Sequence, residues 1–234
     1  MTKSVLITGA SRGLGEGLPR QFAARGYRLA LTARNPADLE ALPAALQAQS
    51  PHILTRALDV TDYESVPAVL RECAEQLGGL DIVIANAGVA IAARAGQGKF
   101  ADMRSTIDIN LTGGIATADA AIELFREQGR GHLVGMTSVA ALRGMSGQGG
   151  YSDSKAVFGV YLEALRCETF KENIQVTELA PGYIDTDLNR SLASRPFLVT
   201  AEKGTRVMAD LIEREVSFRY VPPWPWTLVA QIMK

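Results

Sequence analysis

Short runs of apolar and β-branched residues recur along the chain at 4–8, 27–32, 53–58, 81–85, 132–137, 174–179 and 218–221. In several of them both odd and even positions are apolar, as in a strand covered on both faces. Between the runs, apolar residues three and four apart predict helices over 14–25, 36–49, 62–77, 101–128, 151–171 and 201–215. Strand and helix alternate throughout. The pattern therefore predicts an α/β fold, a doubly wound parallel sheet of about seven strands with helices on both faces, because each right-handed crossover returns the chain to the same sheet. Nothing in the pattern marks a domain boundary, so one domain is expected over 1–234.

Local signals refine the ends of these elements. Thr61-Asp62, and Thr200 with Glu202 behind it, have the hydroxyl and carboxylate groups that satisfy free N–H groups at a helix start. Pro19, Pro43 and Pro67 fall inside expected helices, where each removes a donor, so kinks or shifted starts are expected there.

Composition removes several functional classes. Of 234 residues, 47% are hydrophobic and 21% charged, which suits a folded globular chain rather than a disordered one. Lys and Arg total 24 against 25 Asp and Glu, so no positive surplus exists to neutralise a nucleic-acid backbone, and nucleic acid is not an expected partner. The two cysteines, Cys73 and Cys167, have no Cys or His neighbours at metal-ligand spacing. No metal site is expected, and free thiols suit a reducing, cytoplasmic setting. The first apolar run is too short for a signal peptide, and no stretch of eighteen apolar residues is present to span a bilayer.

The first strand runs straight into Thr8-Gly9-Ala10-Ser11-Arg12-Gly13-Leu14-Gly15. Glycines at a strand-to-helix turn let backbone approach a ligand, and the helix start offers free N–H groups and the positive end of its dipole to a pyrophosphate. A dinucleotide site is the expectation. The second strand ends near Arg34, where such sites meet the adenosine ribose. A carboxylate there would suit a free 2′-hydroxyl, whereas Arg34, with Arg12 close by, suits a 2′-phosphate. NADP(H) is therefore expected over NAD(H). Further on, Tyr151 and Lys155 lie four apart on an expected helix and so share a face. An ammonium beside a phenol favours the phenolate, which, helped by the positive nicotinamide ring in the oxidised complex, predicts a Tyr151 pKa lowered toward neutrality and a general acid/base role. Ser138 follows the fifth strand, where its hydroxyl can reach the same substrate oxygen.

Taken in order, these residues resemble the short-chain dehydrogenase/reductase family. The resemblance covers residues 4–190: the glycine loop, Asp59-Val60, Asn86-Ala87-Gly88, Asn110, Ser138, Tyr151-x-x-x-Lys155, and Pro181-Gly182 with Thr186. It implies a Rossmann-type fold and hydride transfer between NAD(P)(H) and a carbonyl or secondary alcohol. It further implies that Asp59 faces the adenine, Asn86 the adenosine side and Thr186 the carboxamide, with Val60, Ala87, Gly88, Pro181, Gly182 and Ile184 also bordering the cofactor. Lys155 gains a contact to the nicotinamide ribose, and Asn110 supports the catalytic set by holding a water that relays protons to Lys155. In the family the helices corresponding to 101–128 and 151–171 build a dimer contact, and here they carry many small residues (Gly113, Gly114, Ala116, Ala118, Ala120, Ala121, Gly159), so a homodimer or homotetramer is expected.

Some positions depart from the family or add to it. Asp153 replaces a small residue and is read as surface; His52 and His132 fall in or beside strands and are read as structural. Residues 183–200 are read as a substrate lid, and Leu142, Met145, Tyr183, Ile184 and Leu188 suggest an apolar substrate pocket for a ketone, aldehyde, steroid-like or polyketide-like molecule. The tail, 222–234, holds three prolines and two tryptophans, which argues against an ordinary helix through residue 226. It can pack on its own domain, cover the cleft, cross a dimer or touch a membrane surface. The alternative to an enzyme is a catalytically silent NADP(H)-binding regulatory or scaffold protein, but such a chain need not keep both Tyr151 and Lys155.

Overall fold

The computed structural model describes residues 2–233. Met1 and Lys234, the outermost positions of the expected domain and tail, lie outside the described residues. Strands β1 (Ser4–Ile7), β2 (Arg28–Ala33), β3 (Ile53–Ala57), β4 (Ile82–Ala85), β5 (Gly131–Met136), β6 (Ile174–Pro181) and β7 (Phe218–Val221) form one sheet in the order β3-β2-β1-β4-β5-β6-β7. Every neighbouring pair is parallel. The direction of winding reverses between β1 and β4, where a doubly wound sheet opens a crevice at the carboxyl ends of its strands.

The two-residue period of a strand divides the core into two layers. Val5 and Ile7 point with Leu29, Leu31, Ile82 and Ile84 into the layer under α1 (Leu14–Ala23) and α7 (Ala201–Glu213). Leu6, Ala30, Val83 and Leu133 point the other way, under α3 (Ser65–Leu77), α5 (Gly113–Gln128) and α6 (Gly149–Glu168). This explains the runs that were apolar on both parities.

Helix ends hold several corrections. The segment 36–49 forms a 3-10 turn, Pro36–Leu39, followed by the short α2 (Ala41–Leu46); the Asn35 side chain accepts from the Ala37 N–H and starts the turn. Thr61-Asp62 does not cap α3. The Thr61 N–H and hydroxyl both turn back to Asp59 Oδ1, and the helix starts later, at Ser65, two residues ahead of Pro67. Thr200 does cap α7, accepting from the Lys203 N–H. The expected helix 101–128 is α4 (Phe100–Ile107) and α5 joined by a π-helical turn, Asp108–Thr112. Pro19 sits within α1, which runs through it.

The small residues of α5 and α6 serve this chain's own packing. Gly114 abuts the Phe158 ring, Gly113 abuts Val60, and Gly159 abuts the Glu178 carboxylate; Ala118, Ala120 and Ala121 are buried. Their presence is explained without a second subunit. The tail is kinked, as its prolines predict: helical geometry breaks at Trp224 (φ −102, ψ 131) inside α8 (Pro223–Met233), and the helix resumes at Pro225, which falls where a helix start tolerates a missing N–H. No helix among the described residues is long and apolar enough to cross a membrane.

Candidate active site

Parallel strands end on one side, so the loops after β1, β2, β3, β4, β5 and β6 meet although their sequence positions span 9–191. Together they line a cleft of about 930 Å³. Every residue expected to face a cofactor borders it: Gly9, Ser11, Arg12, Gly13, Leu14 and Gly15 from the first turn; Arg34, Asp59 and Val60 from the second and third; Asn86, Ala87 and Gly88 from the fourth. Tyr151, Lys155, Pro181, Gly182, Ile184 and Thr186 close the far end, with Ser138.

The floor is a set of backbone locks. Asn86 Nδ2 donates to the Thr8 carbonyl at 2.9 Å, and the N–H groups of Asn86 and Ala87 both donate to Thr8 Oγ1. Asn86 thus braces the first turn as well as bordering the cleft. A Cβ on Gly15 would lie 1.9 Å from the Gly9 carbonyl oxygen, so only glycine fits there. No side chain caps the start of α1; the Glu16 N–H donates to the Arg12 carbonyl, and among the described residues the N–H groups of Leu14 and Gly15 are left for a ligand. At the outer end, Arg12 and Arg34 are exposed, and among the described residues neither pairs with a carboxylate. Asp38, which the sequence did not single out, also borders this end, its Oδ1 held by Asn35 Nδ2.

At the inner end Tyr151 and Lys155 share one face of α6, with Lys155 Nζ 6.0 Å from the Tyr151 ring centroid. Lys155 is only 5% exposed, and its ammonium donates to the Met136 carbonyl at 2.7 Å rather than to the phenol. Burial pushes its pKa down from 10.5 to about 8. Burial also dominates at Tyr151 and raises its pKa, with the hydrogen bond to Ser138 opposing and the nearby Tyr183 reinforcing the shift. The protein's own groups alone therefore do not lower it: one ammonium beside the ring does not offset the loss of water. Ser138 Oγ accepts from the Ala140 N–H at 3.1 Å and donates to the Pro181 carbonyl at 3.4 Å, a long bond that a substrate oxygen can replace.

Asn110 does not border the cleft; its neighbour Ile109 does. Asn110 sits in the π-helical turn, 1% exposed, with Oδ1 accepting from the Val89 N–H and Nδ2 donating to the Val89 carbonyl, both at 2.8 Å. Nδ2 also donates to Ser154 Oγ, which donates to the Tyr151 carbonyl. The side chain therefore ties the wall after β4 to the helix carrying Tyr151. Val89 and Ser154 completed this link unannounced, because neither a backbone partner nor a buried serine has a sequence signature.

Of the expected substrate residues, Ile184 and Leu188 border the cleft, and Leu142, Met145 and Tyr183 are not among its lining. Met145 lies exposed on the outer side of its loop, Leu142 ends the short 3-10 turn Val139–Ala141, and the Tyr183 ring packs on Trp226 with centroids 5.9 Å apart. Asp153 is exposed, as read. His132 is structural: Thr177 gives its one hydroxyl proton to the Val216 carbonyl, so the histidine Nε2–H must donate to Thr177 Oγ1. Burial lowers the His132 pKa to about 4.

The short chain dehydrogenase family model matches residues 3–196. An uncharacterized oxidoreductase of Mycobacterium tuberculosis is 40% identical over 234 residues, 99% of this chain and 92% of that protein. Among solved structures, a short-chain type dehydrogenase/reductase from Mycobacterium marinum aligns with TM-score 0.86 and 26% identity over 94% of this chain and 93% of that one. The alcohol dehydrogenase of the archaeon Thermococcus sibiricus, complexed with 5-hydroxy-NADP, aligns with TM-score 0.84 and 28% identity over 94% and 95%. With a seven-stranded parallel sheet, a glycine turn at its switch point and Ser138, Tyr151 and Lys155 gathered at one end of the cleft, the chain belongs to the short-chain dehydrogenase/reductase family of oxidoreductases.

Proposed function

We propose that the protein is an NADP(H)-dependent oxidoreductase interconverting a carbonyl and a secondary alcohol, with Tyr151 as general acid and base. The observation that carries this reading is the meeting of Ser138, Tyr151 and Lys155 at one end of a cleft whose other end presents Arg12 and Arg34. A dinucleotide fits the residues present. The glycine turn leaves no room for a side chain at Gly15, the start of α1 is uncapped, and Arg12 and Arg34, which pair with no carboxylate among the described residues, would suit a 2′-phosphate. The archaeal relative's NADP derivative supports the same choice. When bound, the dinucleotide supplies or accepts the hydride.

The chain's own groups handle the oxygen and the proton. Ser138 Oγ, held by the Ala140 N–H, turns its proton to the substrate oxygen. Burial keeps the Tyr151 phenol protonated at neutral pH, which suits it to protonate that oxygen in carbonyl reduction. Lys155, cationic below about pH 8, stabilises the phenolate left behind. Asn110 holds the Val89 wall against α6 and is a positioning residue. Leu188, Ile91 and Ile109 give the substrate an apolar surround. A cytoplasmic homodimer, using the exposed Val157 and Val160 of α6, belongs to the same reading.

The test is NADPH oxidation against a panel of ketones and aldehydes. Turnover with NADPH preferred over NADH is expected, falling as pH rises through about 8 and Lys155 loses its charge. Tyr151→Phe is expected to lower kcat by about 10²–10⁴-fold while NADPH binding persists. Near-normal turnover by this variant would remove Tyr151 from its role. NADPH binding with no carbonyl turned over would favour the regulatory alternative.

A further inference from the structure

The tail places one residue where neither the motif nor the cleft accounts for it. Trp226, in α8, is 4% exposed and stands against Gly182: a Cβ on that glycine would lie 2.0 Å from the indole Nε1. The same ring meets Tyr183 at 5.9 Å and Phe197 edge-on at 5.7 Å between centroids. These are the two ends of one loop. Its base is stitched where the Asp185 N–H donates to the Val199 carbonyl and the Val199 N–H to the Tyr183 carbonyl. The loop reaches the cleft through Ile184, Thr186 and Leu188, and Thr186 touches Gly13 of the first turn.

Phe197 carries a further sign of constraint. Its φ of 57° is in the left-handed region, which a bulky side chain occupies only when its surroundings hold it there. The edge-on contact to Trp226 supplies such a hold. The indole N–H is buried and finds no partner among the described residues, so the wedge acts through ring shape and not through a hydrogen bond.

We propose that Trp226 is a positioning residue for the substrate lid, fixing both ends of residues 183–199 through Tyr183 and Phe197 and so setting the pocket in front of Tyr151. The proposal rests on the oxidoreductase reading above. The expected result for Trp226→Ala is a KM for the carbonyl raised about tenfold with kcat and NADPH affinity within about threefold, since a loosened lid costs binding shared by ground and transition states. Trp226→Phe keeps a ring and is expected to restore most of the KM. An alanine variant that binds NADPH and has an unchanged KM overturns the proposal, and so does a phenylalanine variant as impaired as the alanine one.

If the alanine variant does not fold, a second measurement decides. Trp224 is 73% exposed, and Trp224→Phe leaves Trp226 as the sole tryptophan. Its emission is expected to change when NADP⁺ binds at the base of the lid; binding seen by calorimetry with unchanged emission overturns the clamp and leaves the cofactor reading intact. Failure of the wild type to oxidise NADPH with any carbonyl, beside a changed emission on NADP⁺, overturns the function reading and supports the clamp. If neither NADP⁺ nor NAD⁺ binds, both fall.

Discussion

The glycine-loop wall of the cleft and the lid wall face each other across Gly13 and Thr186, but different forces hold them. The first is bounded by strand ends and locked through Thr8 and Asn86, with backbone so close at Gly15 that no Cβ fits. The second is a surface loop closed on itself, by Asn189 Nδ2 to the Ile184 carbonyl and by Arg195 to Asp185, and it rests on the aromatic contacts of Trp226. It leaves Leu188, Leu192, Phe197 and Leu198 exposed. A wall built from ladder hydrogen bonds and backbone contact tolerates little change. A loop held by ring packing and surface ion pairs is free to vary, because such pairs contribute only about 0–1 kcal/mol each. Under the function proposed above, most of the dinucleotide contacts fall on the first wall, with Ile184 and Thr186 added from the second, and the choice of substrate falls to the second.

This contrast breaks most sharply at Gly15. Gly15→Ala places a methyl group on the Gly9 carbonyl, where only backbone movement relieves the clash, at about 3 kcal/mol and therefore about 100-fold in NADPH affinity. Calorimetry and a thermal melt check it; unchanged affinity would mean that the first wall is as pliable as the lid. A smaller effect is expected at the rim of the same wall. Arg34→Asp removes a charge-assisted contact worth about 1.5–2 kcal/mol, so NADPH affinity falls about 10–30-fold relative to NADH. An unchanged ratio would place the 2′-phosphate elsewhere. The smallest effect is expected on the lid: Leu188 is half exposed, and Leu188→Ala should cost about 0.5–1 kcal/mol, a two- to fivefold rise in substrate KM with NADPH affinity untouched. A larger loss of cofactor binding there would erase the distinction between the walls.

Burial separates the two titrating groups of the inner end from what their spacing suggests. Four residues of helix correctly place Tyr151 and Lys155 on one face, but spacing carries no information about water. The carbonyl of Met136 takes the ammonium, and the dry surroundings raise the phenol's pKa and lower the amine's. Under the function proposed above, this keeps the proton on the phenol oxygen until substrate and cofactor complete the site.

The sequence by itself determined the order of strands and helices, the glycine turn and the identities of the residues that gather at the cleft. Those features depend on local periodicity, on backbone sterics and on parallel strands ending at one edge. It also marked 218–221 as the last strand. Only the tertiary structure decided that Asn110 braces a wall instead of lining it, that Leu142, Met145 and Tyr183 are not among the cleft lining, and that the Trp-rich tail folds as a helix kinked at Trp224 whose Trp226 meets Tyr183 and Phe197. Each of these depends on which neighbour a side chain meets across tens or hundreds of residues, and contact at that range leaves no period in the chain.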